Sequence, residues 1–205
     1  MRRSSIKAII FDFGNVLLEW NPRYVYQHYF PDDPEGMERF LEEVNFMEWN
    51  LQQDKGRPFA EGVAILSEKF PHYAQLIQAY RDNWTDSIGT PYEGTVAIMK
   101  RLKQAGYPLY GLSNWSAETF PRVRETFDFF DLLDDFVISG DVGHAKPDPE
   151  IFHILLDKIR RPPEECLFID DALANINQAQ KMGFSTIHFE SSEQLVQALH
   201  ELQIL

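Results

Sequence analysis

A chain of 205 residues with 44% hydrophobic and 25% charged side chains can build a full apolar core, which excludes a disordered or fibrous protein. Its 32 acidic residues outweigh 19 basic ones, giving a net charge of -13 that argues against nucleic acid or an anionic membrane as a partner, since both are bound through basic patches. One cysteine, Cys166, rules out an intramolecular disulfide, and its setting in Cys166-Leu167-Phe168-Ile169 reads as a buried strand thiol in a protein of the reducing cytoplasm.

Residues 1–5 are charged but run straight into a short apolar stretch, a pattern that fits neither a signal peptide nor a membrane span. That stretch, Ala8-Ile9-Ile10-Phe11, stops on Asp12 and is followed by Phe13-Gly14-Asn15-Val16. An uninterrupted apolar run predicts a parallel strand covered on both faces, and open α/β sheets bind ligands where such strands end. From about residue 22 to 90 aromatic-rich helices are expected at 24–29, 37–44, 59–69 and 73–84, with no comparable strand among them. Within this region Phe46-Met47-Glu48-Trp49-Asn50 and Gln53-Asp54-Lys55-Gly56 combine aromatics, amides and a Gly turn, as a lid over a polar ligand needs. Trp49 and Gln53 are the candidate ligand contacts there, Trp49 being equally suited to anchor the packing of the insertion. Beyond residue 93 strand and helix signals alternate. Helix 93–104 stops at Gly106, and strands at 108–112, 136–139, 166–169 and 185–189 are separated by helices at 116–127, 149–158, 172–182 and 192–202. The alternation predicts an α/β fold with a parallel sheet and right-handed crossovers, interrupted after its first strand by a helical insertion that sits over the strand ends.

Four segments then place polar groups at one edge of the sheet: Asp12-Phe13-Gly14-Asn15, Ser113-Asn114, Lys146-Pro147 and Asp170-Asp171. Together they supply a carboxylate nucleophile, hydrogen-bond donors, a cation and an acidic pair, the inventory for attack on a phosphoryl group. Asp12, Asp170 and Asp171 would repel one another without a hard cation between them, and oxygen ligands suit Mg²⁺, with the Gly14 carbonyl available to complete the set. Ser113 and Asn114 are suited to hold phosphoryl oxygens, and Lys146 to offset their charge. Asn175, one helical turn beyond Asp171, is a supporting residue.

Asp12-Phe13-Gly14-Asn15-Val16, Leu112-Ser113-Asn114, Lys146-Pro147-Asp148 and Ile169-Asp170-Asp171 together resemble the four motifs of the haloacid dehalogenase-like hydrolase superfamily. The resemblance implies a Rossmann-like core, residues 1–18 and 91–205, and a helical cap of the first type, residues 19–90. It implies that Asp12 becomes a phosphoaspartate, that Lys146 assists it, and that Asp12, Gly14, Asp170 and Asp171 surround Mg²⁺. The expected activity is hydrolysis of a small phosphorylated metabolite by a monomer or homodimer, and the Asp-x-Gly-Asn-Val form of the first motif resembles a branch that includes bacterial sugar-phosphate phosphatases.

One position departs from the pattern. Phosphatases of this superfamily carry a second Asp two residues after the nucleophile as general acid and base, and here that residue is Gly14. Poor leaving groups should then turn over slowly unless another group, His144 for instance, supplies the proton. The departure keeps two other readings open: a 2-haloacid dehalogenase, whose chemistry has no use for the acidic pair, and a catalytically silent protein that binds a phosphorylated ligand. A phosphomutase, which needs the missing Asp to shuttle protons, fits less well.

Overall fold

The computed structural model describes residues 6–205; residues 1–5, read above as neither leader nor span, lie outside the described residues. Five parallel strands form the central sheet: β1 (Ala8–Phe11) in the middle, β4 (Leu109–Ser113) and β5 (Asp135–Ile138) on one side, β6 (Cys166–Asp170) and β7 (Ser185–His188) on the other. The apolar run of β1 alternates between two cores. Ile9 and Phe11 face one, with Leu167 and Ile169, while Ala8 and Ile10 face the other, with Cys166 and Phe168. Helices α6 (Glu93–Gln104) and α11 (Ser192–Glu201) supply the first core with Val96, Met99, Leu195 and Leu199. Helices α9 (Pro149–Ile159) and α10 (Leu173–Lys181) supply the second with Phe152, Leu155 and Ile176. Burial on both faces is why these strands read as continuous apolar segments.

Two predicted elements come out differently. The helix expected over 116–127 is only α7 (Phe120–Arg124), because the Ser116 hydroxyl accepts the Glu118 N–H and its carbonyl the Thr119 N–H, closing a turn first. The strand expected to end at Ser139 ends at Ile138, and Ser139 opens the short α8 (Ser139–Val142).

The insertion contributes α1 (Arg23–Tyr26), α2 (Pro34–Glu43), α3 (Phe46–Asp54), α4 (Phe59–Lys69) and α5 (Ala74–Asp82). They pack around an aromatic knot in which Tyr26, Phe40, Phe46, Trp49 and Tyr80 meet at ring-centroid distances of 4.8–6.2 Å. Contrary to the expectation of no strand here, both ends of the insertion pair as an antiparallel ribbon of β2 (Leu18–Trp20) and β3 (Ile88–Pro91). The ribbon is only three or four residues wide and carries a register shift, so it lacks the alternation by which a strand is recognised. No helix among the described residues is long and apolar enough to cross a membrane.

Candidate active site

Sheet register assembles the site. Phe11 lies level with Gly111 of β4 and with Ile169 of β6, so the next residue along, Asp12, emerges beside the ends of both neighbours, where Ser113 and Asp170 stand. Phe13, the next residue, turns into the core and packs its ring on Phe120 and Phe130 at 5.8 and 5.0 Å, anchoring the backbone that carries the carboxylate. Gly111 makes room for that ring, since a Cβ there would collide with it.

The Asp12 carboxylate is held from several directions. Oδ1 accepts from its neighbour's N–H, Phe13, at 2.6 Å and from the Ser113 hydroxyl at 2.9 Å, and Oδ2 meets the Lys146 ammonium at 2.9 Å. Lys146 is 3% exposed and lies 2.6 Å from Asp170 Oδ2 as well. Asp170, wholly buried, also accepts from the Ala172 N–H at 2.8 Å, and the Asn175 Nδ2 donates to both of its carboxylate oxygens, at 3.0 and 3.1 Å. Asn114 closes a reciprocal clamp on the main chain of Lys146: its Nδ2 donates to the Lys146 carbonyl at 2.9 Å, and its Oδ1 accepts the Lys146 N–H at 2.7 Å. The Asn114 amide, expected to hold phosphoryl oxygens, is therefore engaged in placing the lysine, although the residue lines the cavity.

Oxygens of Asp12, Asp170 and Asp171 lie within 4.8 Å of one another. Burial pushes the Asp12 carboxyl up to about 7, with Lys146 pulling the other way and Asp170 and Asp171 adding repulsion. Asp171 is raised too, by burial and then by Asp170. Burial works against the charge of Lys146, yet the adjacent Asp12 and Asp170 overcome it and hold the ammonium above the usual lysine range. Three carboxylates facing one ammonium leave excess negative charge, and the all-oxygen donor set fits a hard divalent cation such as Mg²⁺. Asp12, Asp170 and Asp171, with Gly14 beside them at the cavity wall, are the residues that would hold it. Asn15, in a left-handed conformation with φ 56°, was missed in the sequence; its side chain bonds Asp171 and accepts the Trp20 N–H at 3.2 Å.

A cavity of about 420 Å³ opens above these groups, the size of a small-molecule site. Its floor is Asp12, Gly14, Ser113, Asn114, Lys146 and Asp171, and its upper wall is α3. Here the expectation for the insertion needs correction. Trp49 and Gln53 do not line the cavity. Trp49 donates its indole N–H to the Gly62 carbonyl at 2.9 Å within the aromatic knot, and Gln53, fully buried, donates to the Trp49 carbonyl at 2.5 Å and accepts from Arg57 at 2.6 Å. The stripe 46, 49, 53 faces the insertion's own core, and the stripe 47, 50, 51, 54 faces the cavity with Met47, Asn50, Leu51 and Asp54. Trp20, Trp84 and Trp115 complete the walls. His144 is not among the lining residues; it pairs with Asp148 at 3.2 Å at the surface. Cys166 is buried and its thiol is pushed up to about 12 by that burial, which leaves it inert.

A buried acidic and cationic cluster at the carboxyl edge of a parallel α/β sheet, under a helical insertion, defines a class of hydrolase. Its sequence profile, that of the haloacid dehalogenase-like hydrolases, matches residues 6–183, and the chain belongs to that family. It is 36% identical over 199 residues to a D-ribitol-5-phosphate phosphatase of Bacteroides thetaiotaomicron, covering 91% of this chain and 93% of that one. It is 26% identical over 200 residues to the sesquiterpene phosphatase AstK of Aspergillus oryzae, 97% of each chain. Among solved structures, a family enzyme of B. thetaiotaomicron in complex with magnesium and inorganic phosphate superposes with a TM-score of 0.70 at 25% identity, over 91% of this chain and 95% of that one.

Proposed function

We propose that the protein is a Mg²⁺-dependent phosphatase that hydrolyses a small phosphorylated metabolite through a phosphoaspartate on Asp12. The observation that carries this is the convergence of Asp12, Lys146, Asp170 and Asp171 at one sheet edge beneath a cavity of small-molecule size. In this reading residues 19–90 are the cap and residues 1–18 and 91–205 the catalytic core. Asp12, fixed through Oδ1 by Ser113 and Phe13, attacks phosphorus, and the Lys146 ammonium offsets charge between nucleophile and phosphoryl oxygens. Ser113, whose hydroxyl donates to Asp12 in the free enzyme, would turn it to a phosphoryl oxygen when substrate binds, and the Asn114 clamp keeps Lys146 in place. A bound Mg²⁺ supplies Lewis-acid stabilisation of the phosphoryl group and relieves the repulsion among the three carboxylates. Asn175 keeps Asp170 oriented.

The named activities of relatives support phosphate monoesters as substrates, one a polyol phosphate and one a terpenoid phosphate by their names. The walls accommodate an organic body of either kind, with Trp20, Trp84, Trp115 and Leu51 offering apolar faces and Asn50 a polar one. Sugar phosphates are the first substrates to try. A 2-haloacid would bring a further carboxylate beside Asp170 and Asp171, which disfavours the dehalogenase reading. The test is a phosphometabolite panel with and without Mg²⁺, run beside an assay for halide release from 2-haloacids. Mg²⁺-dependent phosphate release that Asp12→Asn removes is expected; halide release faster than any phosphate release would overturn the proposal, and binding without turnover would leave a silent phospho-ligand binder.

A further inference from the structure

Gly14 removes the carboxylate that would protonate the leaving group, and the cavity supplies another one from the opposite side. Asp54, the last residue of α3, lines the cavity. The Asn50 amide donates to its Oδ2 at 2.9 Å, the Ser116 N–H donates to the carboxylate, and the Ser139 hydroxyl donates to its main-chain carbonyl. The residue is thereby fixed to the core at the loop that follows β4. Ser113, the last residue of β4, touches Asp12, and the three residues of chain from it to Ser116 reach at most about 11 Å, so Asp12 and Asp54 line one cavity within reach of a single small ligand. In an in-line displacement the departing oxygen lies on the far side of phosphorus from the nucleophile. For Asp12 in the core that side is the insertion, where Asp54 stands.

Resting on the phosphatase reading above, we infer that Asp54 is the general acid and base of the reaction, in place of the carboxyl absent at Gly14. As Asp12 Oδ forms its bond to phosphorus, the bond from phosphorus to the ester oxygen breaks and that oxygen takes the Asp54 proton, leaving as the alcohol. In the second half, water bonds to phosphorus, its proton passes to the Asp54 carboxylate, the bond to Asp12 breaks, and inorganic phosphate departs. Partial removal from bulk water pushes Asp54 up to about 7, with the Ser116 N–H opposing, so near neutral pH its acid and carboxylate forms are both populated, one to give a proton and one to take it. The charged groups facing it across the cavity are Asp12, Asp171 and Lys146; Glu48 flanks it on α3, and Tyr80 lies behind it, close enough to feel its charge. Asn50, 7% exposed, keeps its Oδ1 buried and unpartnered at the cavity wall, ready to accept a hydroxyl from the alcohol whose neighbouring oxygen Asp54 protonates.

The experiment compares wild type and Asp54→Asn on a leaving-group series from dinitrophenyl phosphate to alkyl phosphates in Mg²⁺, with thermal unfolding as the control for folding. The variant should lose about 10²–10⁴-fold on alkyl phosphates and less than about tenfold in the phosphorylation step with the dinitrophenyl ester, and should show a burst of phenolate as phosphoenzyme accumulates. The fall in wild-type alkyl phosphate rates above about pH 7 should vanish in the variant. Adding Gly14→Asp to Asp54→Asn should restore alkyl phosphate turnover, because a Cβ at Gly14 approaches only Trp20, at 3.9 Å. Equal losses on every ester with the pH profile unchanged would overturn the assignment. Wild type alone gives a second test independent of the variant's folding: a shallow dependence of rate on leaving-group pKa supports it, and a steep one overturns it. Failure of the phosphatase reading looks different, as wild type then releases phosphate from no member of the series.

Discussion

Asp12 and Lys146 form a pair whose members depend on each other. Asp12→Asn keeps the hydrogen bonds from Ser113 and Phe13 but removes the attacking charge, so purified variant should retain less than about 1% of wild-type kcat while still unfolding in one cooperative transition in chelator. Residual turnover above a few per cent, with deamidation excluded, would contradict the nucleophile assignment. Lys146→Ala leaves Asp12 and Asp170 buried and facing each other without a cation. Breaking a buried ion pair by removing one partner costs about 3–5 kcal/mol. The two carboxylates can escape part of that penalty by taking up protons, so the loss measured by urea unfolding should be larger at pH 8 than at pH 5. An equal loss at both values would show that Lys146 acts by packing rather than by charge.

At the scale of elements, the ends of β1 and β4 are coupled through one ring. Gly111→Ala places a methyl group against Phe13 and Phe136, and overpacking of this kind costs about 1–3 kcal/mol. Because Phe13 is the residue that anchors Asp12, the variant should lower kcat as well as the unfolding midpoint, whereas an overpacked site remote from β1 should lower only the midpoint. The strands of the core were legible in the sequence because burial on both faces leaves continuous apolar runs ending on Asp12, Ser113 and Asp170. Helix α3 was harder to read, since Phe46, Met47, Trp49 and Leu51 put apolar groups all round it and no stripe distinguishes the face toward the insertion from the face toward the cavity. Choosing Trp49 and Gln53 selected the inner stripe. Asp54 was in view in the same segment, but its partners Ser116 and Ser139 are remote in sequence and only the fold brings them to it.

For the whole molecule, the balance of charge at the sheet edge sets how a divalent cation should act on stability. Asp12, Asp170 and Asp171 crowd their oxygens within 4.8 Å, and Lys146 cancels one of three charges, in a chain already at -13. Folding must hold these groups together, whereas unfolding lets them separate in water. A cation that binds only the folded arrangement stabilises it by mass action, about 2.7 kcal/mol at a hundredfold excess over its dissociation constant. Since ligands must lose their protons to bind a metal, and burial with mutual repulsion holds Asp12 and Asp171 above the usual carboxylate range, the gain should be small at pH 5 and larger at pH 8. Thermal unfolding with millimolar Mg²⁺ against chelator, at constant ionic strength, measures it directly and needs no substrate. Asp171→Asn should reduce the gain at pH 8 while raising the melting temperature in chelator, because it removes one source of repulsion. A gain that is the same at both pH values, or that survives in Asp171→Asn, would place the cation elsewhere on this acidic surface and remove Asp171 from the metal site.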